Sequence, residues 1–135
     1  MMDTGFTEIE HTADWEMQVW APDFITLLKQ AALGMYTLAG ICLQPGDRIQ
    51  RELTLQMNDP ESLLVRFLGE LLFLGEQEGL GFDDFDLRLE AGWLQVHMAG
   101  APIISQRKEI KAVTYHNLLI RQRGKGLEVN IVFDV

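Results

Sequence analysis

Between Trp15 and Trp20 apolar and polar residues alternate imperfectly, with Trp15, Met17 and Val19 set against Glu16, Gln18 and Trp20. That is the period-two signature of a half-buried strand. Phe6 to His11 reads as another short strand before it. After Pro22 the period changes: Phe24, Leu27, Leu28, Ala31, Met35 and Leu38 recur at helical spacing, with Asp23 placed to cap the first turn and Gly40 to end the last. Alternation returns from Arg48 to Met57, where Ile49, Leu53, Leu55 and Met57 share a face and Arg51 sits on it as an exception. Asn58-Asp59-Pro60-Glu61 then predicts a helix start. Asp59 can cap, Pro60 occupies a position whose N–H would be unpaired anyway, and Glu61 suits the positive end of the dipole. This second helix should run to Gly79, and its band of Leu64, Phe67, Leu68, Leu71, Leu72 and Leu74 is too wide for a surface helix, so it is expected to pack across a sheet.

Beyond Phe82 the pattern is β-rich: Phe85 to Glu90, a turn at Gly92, Trp93 to Met98, Ile110 to Gln122, and Leu127 to Val135. The last two read as a hairpin closed by Gly124-Lys125-Gly126. Strands and helix, strand and helix, then a run of strands argue for an α+β layered fold over the alternating βα units of a parallel sheet. Each half contains a helix followed by strands, consistent with a weak internal duplication. A chain of 135 residues fits one domain, 1–135.

Composition narrows the function classes. With 47% hydrophobic against 23% charged residues the chain can offset its folding entropy and does not read as disordered. The start, Met-Met-Asp-Thr-Gly followed by Glu8, Glu10 and Asp14, lacks the basic n-region of a secretory signal, so a cytoplasmic location is expected. The apolar-rich run Leu63 to Leu74 is broken by Arg66, Gly69 and Glu70 and falls short of the roughly 20 residues of a membrane span. No membrane role is expected. Cys42, the one cysteine, excludes an internal disulfide and a thiolate zinc site, and is expected to be a small buried side chain near a helix end. The net charge of −9 is uneven: Arg107, Lys108, Lys111, Arg121, Arg123 and Lys125 face only Glu109, so this stretch carries +5 and the remainder −14. An acidic body is a poor free-standing RNA binder, and a basic protein is an easier partner.

Three spots combine polar groups with structure that would hold them still: His11-Thr12-Ala13-Asp14 at a strand end, the stretch Glu109 to His116, and the terminal Ile131-Val132-Phe133-Asp134-Val135. In the first, Thr12 and Asp14 either satisfy backbone N–H groups at a turn or serve a ligand. In the last, an apolar strand ends in the Asp134 side chain followed by the terminal carboxylate, two anionic groups that are costly together unless hydrated or neutralised. With Asp14 they would form an oxygen-only cage for Ca²⁺, Mg²⁺ or Mn²⁺; the alternative is an exposed, frayed tail. In the middle stretch, strand periodicity puts Lys111, Val113 and Tyr115 on one face, where Lys111 pairs with a structural carboxylate or meets a phosphate or partner carboxylate. Asp83, Asp84 and Asp86 lack the glycine and distal glutamate of a calcium loop and read as a solvated turn. His11, His97 and His116 have no metal-ligand spacing.

Taken together, Glu10-His11-Thr12-Ala13-Asp14, Glu109 to His116 and Phe133-Asp134-Val135 resemble the archease family, small partners of RtcB-type RNA ligases. The resemblance extends over nearly the whole chain. It implies an archease-like fold, two helices on antiparallel or mixed sheet with one strand-helix-strand-strand module nested in another. It also implies an accessory activity: promoting guanylylation and multiple turnover of the ligase in tRNA splicing or RNA repair, with RNA and GTP as indirect partners through the ligase. The family's metal positions fall on Asp14, Asp134 and Val135, the last through backbone or terminal oxygen, with Ca²⁺ favoured for the isolated chain and Mg²⁺ or Mn²⁺ as alternatives. Its functionally required lysine falls on Lys111. The chain departs from the family pattern in a shorter, more basic Ile103 to Lys108 and in an aromatic Trp15-Glu16-Met17. Two other classes compete: a metal-dependent phosphoesterase using the same carboxylates, and a binding module without metal.

Overall fold

The structure, a computed structural model, describes residues 3–9 and 15–135. In chain order the elements are β1 (Gly5–Ile9), β2 (Trp15–Ala21), α1 (Phe24–Ala39), β3 (Cys42–Leu43), β4 (Ile49–Gln56), α2 (Pro60–Glu78), β5 (Leu80–Glu90), β6 (Trp93–Ser105), β7 (Ala112–Val113), β8 (Arg121–Arg123) and β9 (Gly126–Asp134). The helix limits follow from their caps. Asp23 accepts from the Thr26 N–H at 2.8 Å, and Asp59 accepts from both the N–H and the hydroxyl of Ser62, at 2.8 and 2.9 Å. Those bonds, the backbone one first, favour the ionised carboxyl and hold the Asp59 pKa below its ordinary value. Gly40 and Gly79 close the two helices in the left-handed region, at φ 65° and 68°.

All ladders are antiparallel. One sheet runs β1-β2-β9-β7, with β8 also paired to β9; the other has β5 on one side of β6 and β3 and β4 on the other. The nesting is visible in the strand order. The continuous segment β4-α2-β5-β6 forms a module in which the last strand lies between the other two, and β2-α1 with β8-β9 repeats that arrangement around it. Both sheets turn their apolar sides to the helices. Met17, Val19, Ile131 and Phe133 from the first sheet join Leu28 and Met35 of α1, Phe67 and Leu68 of α2, and Leu94 and Val96 of β6 in one buried cluster. Each such side chain contributes about 1.5–3 kcal/mol by leaving water.

Four expectations change. Residues 114–120 form no strand; the only ladder residues between 110 and 120 are Ala112 and Val113. Thr114 donates both its N–H and its hydroxyl to the Val132 carbonyl, its hydroxyl accepts from the His116 N–H, and Asn117 takes φ 52°, so local side-chain bonds turn the chain off the sheet. Asp83, Asp84 and Asp86 lie within β5, not in a turn, at a point where the register with β6 shifts, and Asp83 pairs with Arg48. Cys42 is exposed on the two-residue strand β3, because the chain leaves α1 along the end of β6 and does not enter the core. Strand β6, expected over Trp93 to Met98, continues through Gly100-Ala101-Pro102 to Ser105. A side chain at Gly100 would collide with the Gly81 backbone, so glycine is what lets β5 and β6 stay paired there. Arg51, the cation on an apolar face, reaches Glu78 in the last turn of α2 at 2.7 Å. Among the described residues no helix is long and apolar enough to cross a membrane.

Candidate functional site

The end of the β2–β9 pair gathers most of the chemistry. Its last described rung is Trp15 opposite Phe133. On the other edge of β9, β7 sets Val113 opposite Phe133 and Ala112 opposite Asp134, and the Lys111 N–H donates to the Asp134 carbonyl at 2.8 Å. Phe133 is fully buried and fixes the strand, while Asp134 is exposed and Val135 half-buried. Lys111 is held in the same way: Ile110 before it is buried and the Lys111 side chain is exposed. The structure therefore joins two of the sequence-derived motifs, Lys111 and Asp134-Val135, through one backbone bond. Neither the Lys111 nor the Asp134 side chain has a hydrogen-bond or ion-pair partner among the described residues.

A second cation reaches this end. Arg107 and Lys108 donate their N–H groups to the Ala39 carbonyl at 2.9 and 3.1 Å, placing positive charge at the C-terminus of α1. From there the Lys108 ammonium lies 4.9 Å from the centre of the Trp15 ring, in cation–π range. Sequence reasoning counted Lys108 only as part of a basic strip; the paired departures at Trp15 and Lys108 were the signal. The strip itself divides. Lys108 sits at Trp15, whereas Arg123 stacks at 4.6 Å on Trp20, at the other end of β2, and faces Glu128.

The expected common face of Lys111, Val113 and Tyr115 does not form. Lys111 and Val113 line a groove against α2, while Tyr115, 58% exposed, lines a separate hollow with Glu16, Asn130 and Arg121. The two described histidines lie apart: His97 bonds Glu52 on the outer face of the second sheet, and the His116 ring lies beside Asn117. Glu10, His11, Thr12, Ala13 and Asp14 lie outside the described residues. Among the described residues no group of three His, Cys, Asp or Glu side chains is placed to hold a metal ion. What is described of the anticipated cage is Asp134 and Val135, hard oxygen donors at an accessible sheet end.

The sequence pattern of the archease protein family matches residues 6–135. The chain belongs to this family. A protein archease of Methanopyrus kandleri is 35% identical over 93% of this chain and 96% of its own length. That of Methanosarcina barkeri is 30% identical, covering 94% and 93%. Among solved structures, an archease of Thermotoga maritima, described as a possible chaperone, superposes with a TM-score of 0.70 at 25% identity, covering 96% of each chain. A protein of Methanobacterium thermoautotrophicum superposes with a TM-score of 0.72 at 22% identity over 97% of this chain and 99% of its own, which bears on the fold alone. The α+β architecture is thus the archease fold.

Proposed function

We propose that the chain is an accessory protein that activates an RtcB-type RNA ligase, promoting guanylylation of the ligase and its repeated turnover. The observation that carries this reading is the backbone bond from Lys111 to Asp134, which brings to one exposed sheet edge a cation and a carboxylate that have no partner among the described residues.

A divalent cation fits the donors. Asp134 offers carboxylate oxygens and Val135 a main-chain oxygen. Asp14 lies outside the described residues; in the sequence it precedes Trp15, whose rung partner Phe133 is followed by Asp134. Oxygen-only donors suit Ca²⁺, Mg²⁺ or Mn²⁺, with Ca²⁺ favoured in isolation. When bound, such an ion supplies a local positive charge that organises anionic groups of the partner's site. Lys111 adds a second, mobile point charge, and Lys108 holds Trp15 and with it the start of β2. RNA and GTP are met through the ligase, and the setting is the cytoplasm.

The test mixes the chain with an RtcB-type ligase, GTP and Mn²⁺ and follows the ligase–GMP adduct. A faster and more complete adduct is expected. No rate increase with cognate or related ligases would overturn the reading.

A further inference from the structure

One face of α2 is only partly covered: Val65 is buried and Leu72 packs against the core, whereas Gly69 is half-buried and Phe73 and Glu76 are exposed. Val65, Gly69, Leu72, Phe73 and Glu76 follow one another at helical spacing and form one wall of an open groove of about 810 Å³, whose other wall is the segment from Ile103 to Val113. Phe73, in the groove wall, is 55% exposed. A large apolar side chain left this open in a concave surface marks an interaction site. Gly69 supplies an independent sign. It lies inside α2, where glycine weakens a helix relative to alanine, yet a Cβ built there would meet no atom within 4 Å. Nothing among the described residues requires the missing side chain, whereas a group entering the groove would.

We infer that this groove is the docking site for a segment of the partner ligase that carries apolar side chains flanked by lysine or arginine. Charge selects the occupant. Glu76 and Glu109 stand on the groove's two walls with no ion pair among the described residues, and they would meet basic side chains of the incoming segment. Two carboxylates, Glu76 and Glu109, outnumber the one ammonium of the lining, Lys111, so a basic segment suits the groove better than the phosphates of RNA. The groove also runs to Lys111, so a segment seated in it ends at the edge assigned above to activation. The inference rests on that assignment.

The experiment measures binding of the intact chain to the ligase by calorimetry, for wild type, Gly69→Leu and the double variant Glu76→Lys/Glu109→Lys, with thermal melts alongside. Gly69→Leu fills the notch without touching the core, so its melting temperature should equal or exceed that of wild type while affinity falls at least tenfold. The charge-reversed variant should weaken binding comparably, and both should regain stimulation of the ligase–GMP adduct at saturating concentration. If wild type binds and stimulates but both variants bind equally well, the groove is not the docking site and the activator reading survives. If wild type neither binds nor stimulates, both fall. A wild-type dimer that Gly69→Leu makes monomeric would give the groove to a second copy and overturn the assignment to the ligase.

Discussion

The sheet of β4, β5 and β6 and the β7 edge of the other sheet treat charge in opposite ways. On the first, Arg48 meets Asp83, Arg51 meets Glu78, His97 meets Glu52 and Arg88 lies near Asp86. Long ladders hold these residues, with β5 and β6 paired from Leu80–Pro102 to Glu90–Trp93. At the β7 edge the ladder is two residues long, and Lys111 and Asp134 are fixed by their backbones while their side chains have no partner among the described residues. The contrast teaches where to look. Pairing ties most charges of the first sheet to the fold; Lys111 and Asp134, fixed by their backbones and without a partner among the described residues, are the ones we assign to a partner outside the chain.

The largest expected effect separates neighbours on β9. Phe133→Ala should cost about 3–5 kcal/mol in urea unfolding, because a fully buried ring leaves a cavity among Met17, Ile131 and their neighbours. Asp134→Ala, one residue on, should stay within about 0.5 kcal/mol in chelator, as befits an exposed position, yet abolish ligase stimulation. Loss of more than that from Asp134→Ala would make it structural and break the comparison.

On the paired sheet the effects should be smaller and of the other kind. Arg51→Met keeps the stem over the apolar face and removes a pair whose side chains are 40% exposed, so a loss of about 0–1 kcal/mol is expected with full ligase activation. Impaired activation with unchanged stability would show that paired charges also serve the partner.

The smallest effect concerns pH. Asp59 has its pKa lowered in the folded chain, so its contribution is fully present above the unfolded carboxyl pKa and is lost as pH falls through the lower folded value. Asp59→Asn keeps a cap that cannot ionise. Melts of the two proteins should agree near neutral pH, and the wild type alone should lose this increment in acid; parallel curves would refute the role of the charged cap.

What the sequence made legible was local. Both helices could be bounded because Asp23, Gly40, Asp59, Pro60 and Gly79 act within one turn of themselves. The loop after Val113 was hidden, since Thr114 and Asn117 lie among β-forming residues and their turn depends on the Val132 carbonyl, 18 residues away. The passage of β6 through Gly100 and Pro102 was hidden for a related reason: residues that break a strand in isolation permit it where Gly81 approaches closely. For the candidate site, the residues were named by their motifs, but the bond from Lys111 to Asp134, the stacking of Lys108 on Trp15 and the open face of α2 are products of packing between distant segments.

The central claim is that the β2–β9 end forms one functional centre on a shared cation, and a double-mutant cycle tests it most directly. Mn²⁺ affinity by calorimetry and formation of the ligase–GMP adduct are measured for wild type, Asp14→Ala, Asp134→Ala and the double variant. Each single substitution should abolish both, and the double variant should be scarcely worse than either, because groups that share one ion are not additive. Independent, additive losses in affinity, or wild-type stimulation by either single variant, would contradict the account.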